Sequence, residues 1–145
     1  VRYEVANTGG ASGTITRQAE WRAVGGTWVA LGTTTTIPVY ITLSSVFADG
    51  DATTARLTAV GTFQAGQGKE SGSQTSVGTL AASYNTEDEW NIVFGTTATA
   101  GQAYEFRITN QGTALDAYTK YGTATVFVTG PSILGWKTLL GVGQG

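Results

Sequence analysis

The chain is expected to fold as an all-β, antiparallel sandwich of about eight or nine short strands with an apolar C-terminal tail. Three observations predict this. Stretches rich in Thr, Val, Tyr, Phe and Trp alternate apolar with polar residues, the period of a half-buried strand. Gly, at 21 of 145 positions, punctuates those stretches. No stretch of the body carries a convincing amphipathic helical period.

The elements follow in order. Val1, Tyr3 and Val5 share one side of the first strand, and Asn7-Thr8-Gly9-Gly10 turns the chain. From Thr14 to Val24, Ile15, Ala19, Trp21 and Ala23 keep one parity, and Gly25-Gly26 is a hairpin signal before Thr27 to Leu31. The Thr33 to Thr36 run suits a strand because β-branching stiffens χ1. Pro38 makes Val39 to Leu43 an edge strand or marks its start. Phe47 to Asp51 reads as a turn, and Thr53 to Phe63 as an extended stretch broken by Gly61. Gln64 to Ser76, with Gly66, Gly68 and Gly72 and no periodicity, reads as a loop. Strands resume at Val77 to Ala82 and at Trp90 to Phe94. The alternation of Tyr104 to Thr109 is the clearest in the chain, and Ala117 to Val128 completes the body. Beyond it, only Ile133, Trp136 and Leu140 share a helical spacing, over too short a span to define a helix.

Composition narrows the function. There is no Cys, Met or His, which removes the commonest general base, the common metal ligands and the thiol nucleophile. Charged residues make up 12% of the chain, against about 25% in ordinary domains, so Thr, Ser, Gln and Asn must cover much of the surface. A net charge of −2 without a Lys/Arg cluster argues against a nucleic-acid partner. No apolar run approaches the roughly 20 residues of a membrane span. The opening Val1-Arg2-Tyr3, in place of Met, is what a processed exported chain or a part of a longer one is expected to show.

The stretch Ala100-Gly101-Gln102-Ala103-Tyr104-Glu105-Phe106-Arg107-Ile108-Thr109-Asn110 resembles the late strand of immunoglobulin-like and fibronectin-type domains. On that resemblance Tyr104 is the corner tyrosine, its hydroxyl closing a turn. With Arg2 to Gly9, Phe47 to Thr54 and Thr109 to Tyr118, residues 1–129 are similar to uncharacterised β-sandwich modules of large secreted or surface proteins of environmental bacteria and phages. The resemblance implies an immunoglobulin-like sandwich of Greek-key or jelly-roll type and an extracellular, cell-surface or virion-surface location. It transfers no catalytic or binding residue.

Candidate sites are few. Asp49 and Asp51 flank Gly50 and offer hard oxygen ligands for calcium, although a turn needs the same residues. Glu87-Asp88-Glu89, the one acidic run, reads as a solvated lead-in to a strand rather than a cation site. The ten acidic residues, most in turns, make a glycosidase carboxylate pair improbable, and Ser or Thr nucleophiles lack a His partner. No enzyme activity and no cofactor are expected. Trp21, Trp28 and Trp90 carry strand parity and are assigned to the core; Trp28, Tyr84 and Tyr121 are also the candidates for stacking on a glycan.

The tail, residues 130–145, is a separate unit after Gly130-Pro131. It presents Ile133, Leu134, Trp136, Leu139, Leu140 and Val142 with nothing local to bury them. It either folds back over its own sandwich or inserts into a neighbouring copy as an added strand or an apolar plug. The expected function is a non-enzymatic, self-assembling subunit of an extracellular filament, pilus-like fibre or surface appendage, with Ile133, Leu134, Trp136, Leu139 and Leu140 as its anchor and other copies as its partners. The alternatives are a carbohydrate-binding or adhesin module that meets surface glycans, a spacer module, or a virion fibre or decoration protein.

Overall fold

The computed structural model of the chain describes residues 1–57 and 60–127. Among these residues there is no helix, and twelve strands form four sheets. The strands are β1 (Arg2–Ala6), β2 (Gly13–Ile15), β3 (Arg17–Ala23), β4 (Val29–Ala30), β5 (Val39–Ile41), β6 (Thr62–Lys69), β7 (Gly78–Leu80), β8 (Tyr84–Trp90), β9 (Ile92–Phe94), β10 (Ala103–Asn110), β11 (Thr113–Ala114) and β12 (Gly122–Thr125). The fold is all-β with no barrel, as expected. The tail residues Ile133, Leu134, Trp136, Leu139 and Leu140 lie outside the described residues.

The first sheet has the order β1-β8-β6. The second runs β4-β3-β10, with β11 and β12 both on the far edge of β10. The pairs β2-β7 and β5-β9 complete the set. All pairings are antiparallel except β6 with β8, a parallel pair that the expected antiparallel pattern did not contain. One core serves the larger sheets together. Ala19 and Trp21 of β3 and Tyr104, Phe106 and Ile108 of β10 meet Trp90 of β8 and Val39 and Ile41 of β5. The alternation of β10 is what achieves this, since Glu105 and Arg107 then point away from the core. The Tyr104 hydroxyl accepts the Thr99 N–H at 2.9 Å, closing the turn that leads into its own strand.

Several local expectations need correction. Thr33 to Thr36 is bend and turn, with all four threonines exposed and no strand alongside. Of Thr53 to Phe63, only Thr62 and Phe63 are strand among the described residues. The supposed loop from Gln64 contains most of β6, one of the two longest strands. Its glycines permit close approach rather than mark turns: a Cβ on Gly66 would press on the Glu87 carbonyl oxygen and lie 2.5 Å from Asp88 Oδ1, and one on Gly68 would lie 2.6 Å from the Phe47 ring. The outer edge of β6 is covered by the preceding loop, through Gly68 N–H to Asp51 O at 2.7 Å and Thr53 N–H to Gly66 O at 3.2 Å.

Candidate functional site

The outer face of the second sheet gathers three half-buried aromatic side chains around two arginines. The β3–β10 register sets Arg22 opposite Glu105 and Glu20 opposite Arg107, and each pair closes a 2.7 Å ion pair. Trp28, just before β4, lies with its ring centre 4.4 Å from both the Arg22 and the Arg107 guanidinium. Tyr121 and Tyr118, from the segment before β12, flank the same arginines at 5.1 and 5.9 Å. Trp28 is therefore not a core residue as its assigned parity implied. It is a half-buried lid over a charged ladder, whereas Trp21 and Trp90 are buried.

Of the three glycan candidates, the structure brings Trp28 and Tyr121 together at 5.0 Å, with ring planes inclined by 58°. Tyr84 opens β8 in the other sheet. Rings so inclined, with guanidinium groups against them, do not form a flat stacking platform; cation–π contacts of this kind contribute about 0.5–1 kcal/mol each at exposed positions. Trp28→Ala is expected to lower stability by about 1–2 kcal/mol in urea denaturation, since it removes two such contacts, and to leave retention on polysaccharide columns unchanged. Unchanged stability with lost retention would return the ring to ligand binding.

The calcium candidates are occupied by the chain itself. Asp49 accepts from Lys69 Nζ at 2.7 Å and from the Glu70 and Ser71 amides at 3.1 Å. Burial alone would raise its pKa, yet these donors hold it below the ordinary carboxylate value. Asp51 accepts the Ala48 N–H at 2.8 Å across the turn. Among the described residues no group of three or more acidic, His or Cys side chains is placed to hold a metal ion.

The acidic run is the largest departure from expectation. Glu87 and Asp88 are fully buried in β8, the middle strand of the first sheet, rather than solvated ahead of a strand. Asp88 pairs with Arg17 of β3 and accepts the Gln67 N–H at 2.9 Å, tying the two larger sheets together. Glu87 accepts from Arg2 Nη1 and from the Arg56 and Leu57 amides, all at 2.8 Å. Glu89 receives the other arm of the Arg2 guanidinium at 2.5 Å. The available signal was parity: Arg17 shares the inward side of β3 with Ala19 and Trp21, and Asp88 that of β8 with Trp90.

Burial disfavours the charge on Glu87, but the Arg2 guanidinium and the Leu57 and Arg56 amides outweigh it and hold the carboxyl below its ordinary 4.5. A carboxyl with a depressed folded-state pKa stabilises the fold above its unfolded value, and that contribution is lost as pH falls through the folded value. Stability is expected to decline below pH about 4.5, and Glu87→Gln to flatten that decline while lowering stability at neutral pH. Thermal melts from pH 7 to 3 check this; an identical acid dependence in the variant would contradict it.

These carboxylates serve structure: each is met by cationic or amide donors and anchors a strand or a turn. The edges of the domain differ from one another. The outer edge of β6 is covered, while β1 and β12 each pair with a single strand among the described residues. Between them lies a slot with Tyr3, Phe106 and Gly122 in its walls. No family model, curated protein or solved structure matches this chain.

Proposed function

We propose that this chain is a non-enzymatic structural subunit of an extracellular assembly, a filament or surface appendage in which each copy is anchored to the next by its apolar tail. The observation that carries the reading is an apolar tail sequence following a domain with unpaired strand edges. The segment from Ile133 to Val142 is rich in large apolar residues, and in the domain that precedes it β1 and β12 each pair with a single strand among the described residues. Open edges add strands from other chains unless they are blunted or covered. The reading takes the two larger sheets as the layers of an immunoglobulin-like sandwich, supported by the core that Trp21, Tyr104 and Phe106 share with Trp90.

Support also comes from how charge is used. The buried carboxylates Glu87 and Asp88 are met by several donors, and Arg22 and Arg107 are each engaged by a carboxylate and aromatic rings. Deleting residues 131–145 is expected to leave a folded monomer, while the full chain sediments as large species under the same conditions. A truncated chain that still polymerises, or a full chain that stays monomeric at every concentration, would sink the proposal.

A further inference from the structure

We infer that the slot between β1 and β12 is the acceptor for the apolar tail of a second copy, which enters as an added strand and places large side chains in the slot. The inference rests on the assembly reading and adds where the tail goes.

The slot is built by two edges that have no further strand beside them among the described residues. β1 is the free side of the first sheet, and β12 the free side of the second over Ala103–Phe106 of β10. Two adjoining cavities of about 210 and 220 Å³ lie between them, both bounded by Tyr3, Phe106 and Gly122. Each is below the roughly 300–1,000 Å³ of a small-molecule site, and of a size for one or two apolar side chains. Ala124 adds to the apolar wall of the first. Tyr3 packs edge-on against Trp90, with ring centres 6.3 Å apart, so anything seated on Tyr3 extends the existing core.

Gly122 keeps the slot open. It is exposed, and a Cβ built there would have nothing within 4 Å. Unlike the six glycines with left-handed backbone among the described residues, it has no conformational need to be Gly. It opens β12, and the absence of a side chain there leaves both cavities unobstructed at that point. The charges agree as well. Lys137 is the one charged residue of the tail, and Glu4, on the wall of the second cavity, has no ion-pair partner among the described residues. Lys120 lines the same cavity and disfavours entry of a basic segment from its own side.

The chain has no Cys, so an introduced pair reports proximity without background. In the full chain carrying Gly122→Cys and Leu134→Cys, mild oxidation of assembled material is expected to give a ladder of covalent multimers, and neither single variant should exceed a dimer. A crosslink confined to the monomer would show that the tail fills its own slot and overturn the inference. Assembled material without crosslinks would overturn the slot while leaving the assembly reading intact, and absence of assembly in the unsubstituted chain would overturn both. A second variant, Gly122→Leu, fills the slot where there is space for it. It is expected to keep the melting temperature of the parent and to lose at least tenfold in assembled fraction; assembly at the parental level would count against the inference.

Discussion

Asp88→Ala is expected to cost about 3–5 kcal/mol in chemical denaturation, among the largest losses available from one side chain in this domain. The reason is what remains behind. The Arg17 side chain is 8% exposed and has Asp88 as its ion-pair partner, so the truncation leaves a guanidinium in the interior without its counter-charge. The half-buried Gln67 N–H loses its acceptor in the same step, and a donor left without a partner adds to the cost. The double variant Arg17→Met with Asp88→Leu is expected to recover most of the charge penalty but not the Gln67 term, because well-packed apolar replacements of buried ion pairs are often neutral. A loss below about 1 kcal/mol in the single variant would mean that water reaches Arg17 and that the pair is not the clamp between sheets described above.

Gly66→Ala is expected to be comparably severe although it adds a single methyl. β6 and β8 run parallel with an irregular register between Ala65 and Gly68, and at Gly66 the strands approach until a Cβ would overlap the Glu87 carbonyl and crowd Asp88. The obstacle is backbone, which cannot rotate away as a side-chain tip can. Overpacking costs about 1–3 kcal/mol and occasionally more; the upper end, expected here because backbone is the obstacle, corresponds to a fall of roughly 10 °C in melting temperature for a chain of this size. Gly13→Ala supplies the contrast: a Cβ there meets nothing within 4 Å and the backbone is not left-handed, so near-parental stability is expected. If Gly66→Ala melts like the parent, β6 does not lie against β8 as described.

These two sites mark where the amino-acid sequence was hardest to read. The alternation in Tyr104 to Thr109 and in Thr14 to Val24 announces strands because each has one apolar face; the first is β10 with that face in the core, and the second is divided into β2 and β3, with Ala19 and Trp21 of β3 in the core. The hairpin at Gly25, whose φ is +81°, was equally legible, since a short loop there needs a left-handed residue. β6 was not, because it is recognised by what its glycines allow on the neighbouring strand and not by any side chain of its own. Glu87 and Asp88 read as a solvated run because their partners are distant in the chain, Arg2 by 85 residues and Arg17 by 71. Charge neutralisation across such separations is a tertiary fact, and local pattern is blind to it. The aromatic cluster was half legible. Trp28 and Tyr121 were singled out, but their meeting over Arg22 and Arg107 depends on which residues of β3 and β10 face outward together. The slot between β1 and β12 depends on which strand edges are left without neighbours, so it emerges only with the sheet order.

Electron microscopy of the full chain beside a chain lacking residues 131–145 tests the central claim most directly. The account predicts regular filaments from the full chain, with a repeat near one domain length, and uniform small particles from the truncated one. Uniform small particles from both would contradict it.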